Sequence, residues 1–262
     1  MDGLHNKVAI VTGAARGIGK GIAGCLAKDG CQVIIADVLG EEAEKAAEEL
    51  RAKGMAAEAL QVNLMEESQI EHMMAKVYET YGKIDILVNN AGITVRKPAI
   101  SIETEEFDRV ININLRAYFL ASRAAARLMR NQEEKGCIVC ISSCNSQHYT
   151  SKRSPYNISK AAVNGLAATL AVEWGRLGIR VNAVAPGYVM TDLIQGGIQE
   201  GIIDVENIMS VIPIKRFLTV EEIGNAVCFL ASDNASGITG QTLFVDGGWS
   251  KCGLPEESDM IV

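Results

Sequence analysis

Aromatic residues make up only 5% of this 262-residue chain, against 48% for apolar residues as a whole. A core so poor in rings and rich in aliphatic and small side chains suits buried strands alternating with covering helices, and the composition points to an α/β protein. Positive charge is short as well: 25 Lys and Arg stand against 32 Asp and Glu, a net charge of −7. Such a chain lacks the broad basic face that displaces counterions from nucleic acid, which excludes nucleic acid as its main partner. Long apolar runs are missing too. The apolar stretches are strand-sized and broken by glycine or charge, and residues 1–7 lack the apolar segment of a secretory signal. A soluble cytoplasmic protein with no membrane partner is therefore expected. No Pro/Ser-rich linker, repeat or low-complexity stretch interrupts the chain, so one domain is expected over 1–250, followed by a polar tail over 251–262.

Seven cysteines are present, and Cys137 and Cys140 form a C-x-x-C with Cys144 close behind. No second pair completes a metal site, and the segment reads as a strand, in which positions three apart point to opposite faces. Buried free thiols without metal are the expectation.

Short β-branched runs do recur, at 8–11, 32–37, 57–62, 84–89, 137–142, 180–185 and 242–245, most of them unbroken and apolar. Strands of that kind belong to a parallel sheet covered on both faces. The covers are the helical patterns between them: a stripe through Ile18, Ile22, Cys25 and Leu26, then 41–53, 66–81, 105–130, 156–175 and 219–231. Repeating βα units with right-handed crossovers predict a doubly wound, Rossmann-type sheet of about seven strands.

The first strand runs into Thr12-Gly-Ala-Ala-Arg-Gly-Ile-Gly19, and a helix follows at once. Glycines at 13, 17 and 19 allow a sharp turn and bring backbone N–H groups close to a pyrophosphate, at the partly positive start of a helix. The second strand ends at Asp37, about 20 residues further on, where a carboxylate can bond a ribose 2′-hydroxyl. The same carboxylate repels a 2′-phosphate, and nothing basic follows it in Val38-Leu39-Gly40, so NAD is expected ahead of NADP. Arg16 argues the other way, since a guanidinium beside the ribose can pair with a phosphate.

With these, Asn89-Asn90-Ala91-Gly92, Asn114, Ser143, Tyr156-x-x-x-Lys160 and Pro186-Gly-x-Val-x-Thr191 occur in one order along the chain. From Lys7 to about Trp249 the chain resembles the short-chain dehydrogenases/reductases, nearest in kind to gluconate 5-dehydrogenase-like or 3-oxoacyl reductase-like members. The resemblance implies an oxidoreductase moving a hydride between nicotinamide and a secondary alcohol or ketone. It implies catalysis by Asn114, Ser143, Tyr156 and Lys160, and cofactor contacts from Gly13, Arg16, Gly17, Ile18, Gly19, Asp37, Asn63, Leu64, Asn90, Tyr156, Lys160, Pro186, Gly187, Val189 and Thr191. Asn63 departs from the aspartate that many relatives carry toward adenine, and Asn114 resembles an asparagine that holds a relay water against the lysine. A homo-oligomer, usually a tetramer, is implied as well.

Four residues apart at a helix start, Tyr156 and Lys160 lie one turn apart on one face. An ammonium and an oxidised nicotinamide beside a phenol both favour the phenolate, which makes Tyr156 the proton carrier and Lys160 its tuner. Ser142 competes with Ser143 as the hydroxyl that meets the substrate; the thirteen-residue interval from Ser143 to Tyr156 resembles that of the family. Basic side chains at Arg96, Lys97, Lys152 and Arg153 fall in the loops around the pocket and suggest a carboxylate or phosphate on the substrate, and His148 is placed to bond a substrate hydroxyl. A sugar acid or polyol is the preferred substrate class. A 3-oxoacyl thioester, a hydroxysteroid packed on Ile194, Ile198, Ile202, Ile203 and Met209, and a nucleotide-sensing scaffold without catalysis are the rivals.

Overall fold

In the computed structural model, which describes residues 1–252, the apolar runs form seven strands and the patterns between them nine α-helices among the described residues. In chain order they are β1 (Val8–Thr12), α1 (Gly17–Lys28), β2 (Gln32–Asp37), α2 (Gly40–Arg51), β3 (Ala57–Gln61), α3 (Glu67–Tyr81) and β4 (Ile86–Asn89). Then come α4 (Thr104–Ile111), α5 (Ala117–Met129), β5 (Cys137–Ile141), α6 (Ser154–Trp174), β6 (Arg180–Pro186), α7 (Asp192–Gln199), α8 (Val205–Ser210), α9 (Val220–Ala231) and β7 (Thr242–Val245). Of the polar tail, residues 253–262 lie outside the described residues; its start joins a 3₁₀ turn, Trp249–Lys251.

All strands are parallel, in the order β3-β2-β1-β4-β5-β6-β7. The chain winds from β1 outward to β3, then returns past β1 to begin the second half at β4. At that reversal the connections leave β1 and β4 in opposite directions and open a crevice at the strands' carboxyl ends.

Alternate residues of each strand feed two cores. Ala9, Val11, Val33, Ile35, Val139 and Ile141 pack with Ile22 and Leu26 of α1, Leu50 of α2 and Val227 of α9. Val8, Ile10, Ile34, Leu87 and Ile138 pack on the other face with Met73 of α3, Ala125 of α5 and Leu170 of α6. Each fully buried aliphatic side chain contributes roughly 1.5–3 kcal/mol, which makes this two-sided filling the main support of the crevice geometry. The cysteine pair divides as its spacing predicts, Cys137 into the first core and Cys140 into the second. Burial pushes their thiols up to about 11 and about 12. Among the described residues no two cysteines form a disulfide, and no cluster of three metal-ligating side chains is present. Among the described residues no helix is long and apolar enough to cross a membrane.

Two departures from the sequence expectation matter. Residues 105–130 are not one α-helix: a π-helical turn, Asn112–Arg116, separates α4 from α5 and re-aims Asn114 inward. The segment between β6 and α9, for which the sequence pattern gives no helix, contains α7 and α8. Thr191 caps α7 by accepting from the Ile194 N–H, and Asp204 caps α8 by accepting from that of Asn207. Gly196 and Gly197 inside α7 weaken its helical signal, and neither helix buries a residue.

Candidate active site

At the crevice the glycines are there for steric reasons that can be read one by one. Gly13 has φ +63°, and a Cβ on it would lie 2.6 Å from the Ala91 backbone. A Cβ on Gly19 would lie 2.3 Å from the Gly13 carbonyl and 2.4 Å from Asn90 Nδ2. Asn90 is the brace of this turn: its amide donates to the carbonyls of Thr12 and Gly13, both at 2.9 Å. Gly17, φ +60°, opens α1, and a methyl there would stand in the gap facing Thr191. Ile18 anchors the same turn in the first core. Arg16, exposed, is the N-cap residue but places no side chain on the helix end, and the first turn of α1 carries no acidic residue. Those N–H groups remain open to an anion.

Asp37 sits buried at the end of β2, where it accepts from the Ala15 N–H at 3.0 Å and the Leu39 N–H at 3.1 Å. Its two oxygens thereby tie the glycine turn to the strand end and keep lone pairs for a ribose hydroxyl. Across the crevice, Gly187 approaches Asp246 so closely that a Cβ would lie 2.7 Å from its Cα. Val189 pairs with Leu218 in a parallel bridge whose bonds use the Tyr188 carbonyl and the Met190 N–H, leaving the Val189 N–H and carbonyl for a ligand. The uncapped helix start, the open cradle at Gly17, the buried carboxylate and the free Val189 backbone fit a nicotinamide dinucleotide.

Asn63 Oδ1 accepts from the Met65 N–H at 3.1 Å in a local turn, which leaves its second lone pair and the Nδ2 donors for an adenine. Leu64 packs on the second core beside it.

Ser142 and Ser143 separate cleanly. Ser142 donates to the Lys160 carbonyl at 3.0 Å and braces β5 against α6, whereas Ser143 lies near enough to the Tyr156 phenol to favour its ionised form. Ser143 is held there as the cap of a short 3₁₀ turn, its Oγ accepting from the Asn145 N–H at 3.1 Å. Lys160, buried, donates to the Ile141 carbonyl at 2.7 Å, and its Nζ lies 5.8 Å from the Tyr156 ring centroid. Burial governs both titratable groups: it pushes Lys160 down to about 8 and Tyr156 up, with the neighbouring Ser143 hydroxyl pulling Tyr156 back.

Asn114 is fixed by its side chain. Its Oδ1 accepts from the Ile93 N–H, and its Nδ2 donates to the Ile93 carbonyl and to Ser159 Oγ, all at 2.9 to 3.0 Å. The side-chain amide thereby fixes the chain just after Gly92. A Cβ on Gly92 would meet both Asn114 Oδ1, at 3.4 Å, and Lys160 Nζ, at 3.6 Å, so the two line one space.

On the substrate side, His148 is not free as expected: its Nε2 bonds the Ser250 carbonyl, and its ring faces Trp249 at 6.3 Å. Lys97 is neutralised by Glu106 at 2.5 Å, which removes it from the basic group, and Lys152 is exposed at φ +61°. Arg96, which is exposed, and Arg153 act on one another electrostatically. Burial lowers the Arg96 pKa first, the charge of Arg153 lowers it further and Tyr188 raises it, while Arg153 also acts on Tyr156. Neither guanidinium has a carboxylate partner among the described residues. Tyr188 stacks near Trp249 at 5.2 Å and Phe217 at 6.3 Å, so the few aromatic residues gather at this wall. Sequence reasoning missed Tyr188, Trp249 and Tyr118; the last stands four residues after Asn114, a helical spacing that was available as a signal.

Residues 13–250 match the family model described as enoyl-(acyl carrier protein) reductase. A 3-oxoacyl-[acyl-carrier-protein] reductase of Staphylococcus epidermidis is 38% identical, over 93% of this chain and 98% of its own. A solved structure of a candidate short-chain alcohol dehydrogenase from Sinorhizobium meliloti superposes with a TM-score of 0.90 at 33% identity, covering 95% of this chain and 98% of that one. A candidate NAD(P)-dependent gluconate 5-dehydrogenase from Beutenbergia cavernae, with NADP bound at low occupancy, gives a TM-score of 0.86 at 36% identity, covering 94% and 98%.

Proposed function

We propose that this chain, which belongs to the short-chain dehydrogenase/reductase family of oxidoreductases acting on CH–OH and keto groups, interconverts a secondary alcohol and its ketone on a sugar acid or related polyol, with NAD(H) as its preferred cofactor. The observation that carries the substrate class is the unpaired couple Arg96 and Arg153 beside Tyr156, in a chain with an acidic excess. Two guanidiniums within electrostatic reach of each other and without a carboxylate repel one another, and an anionic substrate relieves that repulsion through charge-assisted hydrogen bonds.

When bound, the nicotinamide supplies the hydride acceptor or donor. The chain's own residues do the rest. Gly13, Gly17 and Gly19 let the start of α1 approach the pyrophosphate, Asp37 takes ribose hydroxyls, and the Val189 backbone and Thr191 hold the carboxamide. Ser143 orients the substrate oxygen, and Tyr156 takes its proton in oxidation or returns it in reduction. Lys160 supplies positive charge that favours the phenolate. Asn114 fixes the Ile93 segment that closes the space beside Lys160.

Asp37 supports NAD through repulsion of a 2′-phosphate, and the NADP held by the Beutenbergia protein makes the choice a measurable one. Titration with NADH and NADPH is expected to show tighter NADH binding. The 38% identity to a 3-oxoacyl-[acyl-carrier-protein] reductase favours a thioester as the second reading. A panel of sugar acids, polyols, acetoacetyl thioester and steroids with both cofactors decides: turnover of a sugar acid supports the proposal, and turnover of the thioester alone replaces it. Turnover of any kind disposes of a purely sensing role. Exposed Val172 and Phe119, at 84% and 40%, supply apolar surface for a homo-oligomer, which gel filtration reads directly.

A further inference from the structure

Tyr118 opens α5 one helical turn after Asn114 and is 1% exposed. A phenylalanine would fill the same volume without burying a hydroxyl, so the oxygen needs a reason. That oxygen lies 3.4 Å from Lys160 Nζ, which donates to it, and itself donates to the Ile141 carbonyl at 3.3 Å. Lys160 donates to the same carbonyl. Ammonium, phenol and carbonyl thus close a small ring of hydrogen bonds behind the candidate acid/base. The ammonium stands between two aromatic rings, 5.2 Å from the Tyr118 centroid and 5.8 Å from that of Tyr156.

We propose that the Tyr118 hydroxyl is a positioning group that holds the Lys160 ammonium against the Ile141 carbonyl and facing Tyr156. The proposal rests on the reading of Tyr156 and Lys160 as the proton-transfer pair. A lysine on a flexible stem has no fixed direction of its own, and two acceptors on separate elements, β5 and α5, give it one. The titratable groups facing it are Cys140 from β5, Tyr118 from α5 and Tyr156 from its own helix; Tyr156 in turn faces Cys144 and Arg153. None of these is a carboxylate, so neutral acceptors are what favour the ammonium. Burial raises the Tyr118 phenol well above its ordinary value, which keeps it neutral and able to accept at working pH.

Loss of the acceptor makes the ammonium harder to keep, so Lys160 gives up its proton at lower pH and supports the Tyr156 phenolate less. In Tyr118→Phe the acidic limb of the alcohol-oxidation kcat profile is expected to move to higher pH by about one unit or less, with kcat at neutral pH falling by up to about tenfold. NADH binding should be unchanged. Tyr118→Met, which also keeps an apolar filling, should reproduce the shift. Profiles and kcat that match wild type in both variants, whatever happens to Tm, would reduce the hydroxyl to a packing detail and overturn the proposal. Tyr156→Phe run alongside separates the two failures: if it loses turnover while the Tyr118 variants match wild type, only the positioning role falls, and if it keeps turnover the proton-transfer reading falls and takes this proposal with it.

Discussion

The two walls of the crevice are built by different means. On the dinucleotide side, recognition lies in backbone: Gly13 and Gly19 have no room for a methyl, Asn90 staples the turn, and Asp37 is buried and doubly bonded at a strand end. On the substrate side it lies in side chains carried by connecting segments, with α7 and α8 burying no residue and Arg96 and Arg153 lacking carboxylate partners among the described residues. A wall made of backbone can serve one cofactor type in many proteins, whereas a wall of side chains can be exchanged without disturbing the sheet.

Where the walls meet stands Tyr156, and the largest effect is expected there. Tyr156→Phe should lower kcat by about 10²–10⁴-fold with cofactor affinity kept, because it removes the transferred proton's carrier and nothing from the dinucleotide wall. In the wild type, oxidation needs the phenolate, which burial shifts to higher pH; its rate should rise with alkalinity, while reduction, which needs the phenol, should fall as pH climbs through the raised pKa. Parallel profiles in the two directions would contradict that assignment. Next in size comes the backbone wall itself. Gly19→Ala forces a methyl onto the Gly13 carbonyl and should destabilise the fold by about 1–3 kcal/mol and weaken NADH binding, which thermal unfolding and fluorescence titration measure.

The same contrast explains what could be read from sequence. The glycine turn, Asp37 and the Tyr156–Lys160 spacing were legible because strand and helix periods fix where such residues fall, and the parallel sheet followed from unbroken apolar runs. Asn114 was found but its bonds to Ile93 were not, because the π-helical turn that aims it there leaves no mark in the pattern. His148 was misjudged for a related reason: its partner, the Ser250 carbonyl, is 102 residues away in the chain. α7 and α8 escaped notice because Gly196 and Gly197 blur one and the other is six residues long. Local chemistry marks the first wall, and tertiary packing assembles the second.

The substrate wall can be tested charge by charge. Arg96→Ala or Arg153→Ala should raise KM for a sugar acid about 10- to 100-fold, the worth of one charge-assisted hydrogen bond, with a smaller effect on an uncharged polyol. Equal losses on both substrates would mean that the guanidiniums support packing and do not read a carboxylate.

Lys97→Ala is expected to do almost nothing to KM, and that small effect is the sharpest control on the comparison. Lys97 neighbours Arg96 in sequence and carries the same charge, so a diffuse basic surface would feel its loss nearly as much. In the structure its ammonium is spent on Glu106, itself part of the box that caps α4. An exposed pair of this kind contributes about 0–1 kcal/mol, so a slight fall in Tm and a KM within about twofold of wild type are expected. A KM rise matching that of Arg96→Ala would show that the wall attracts anions through its summed field, and the selectivity assigned to the Arg96–Arg153 couple would then belong to the whole loop.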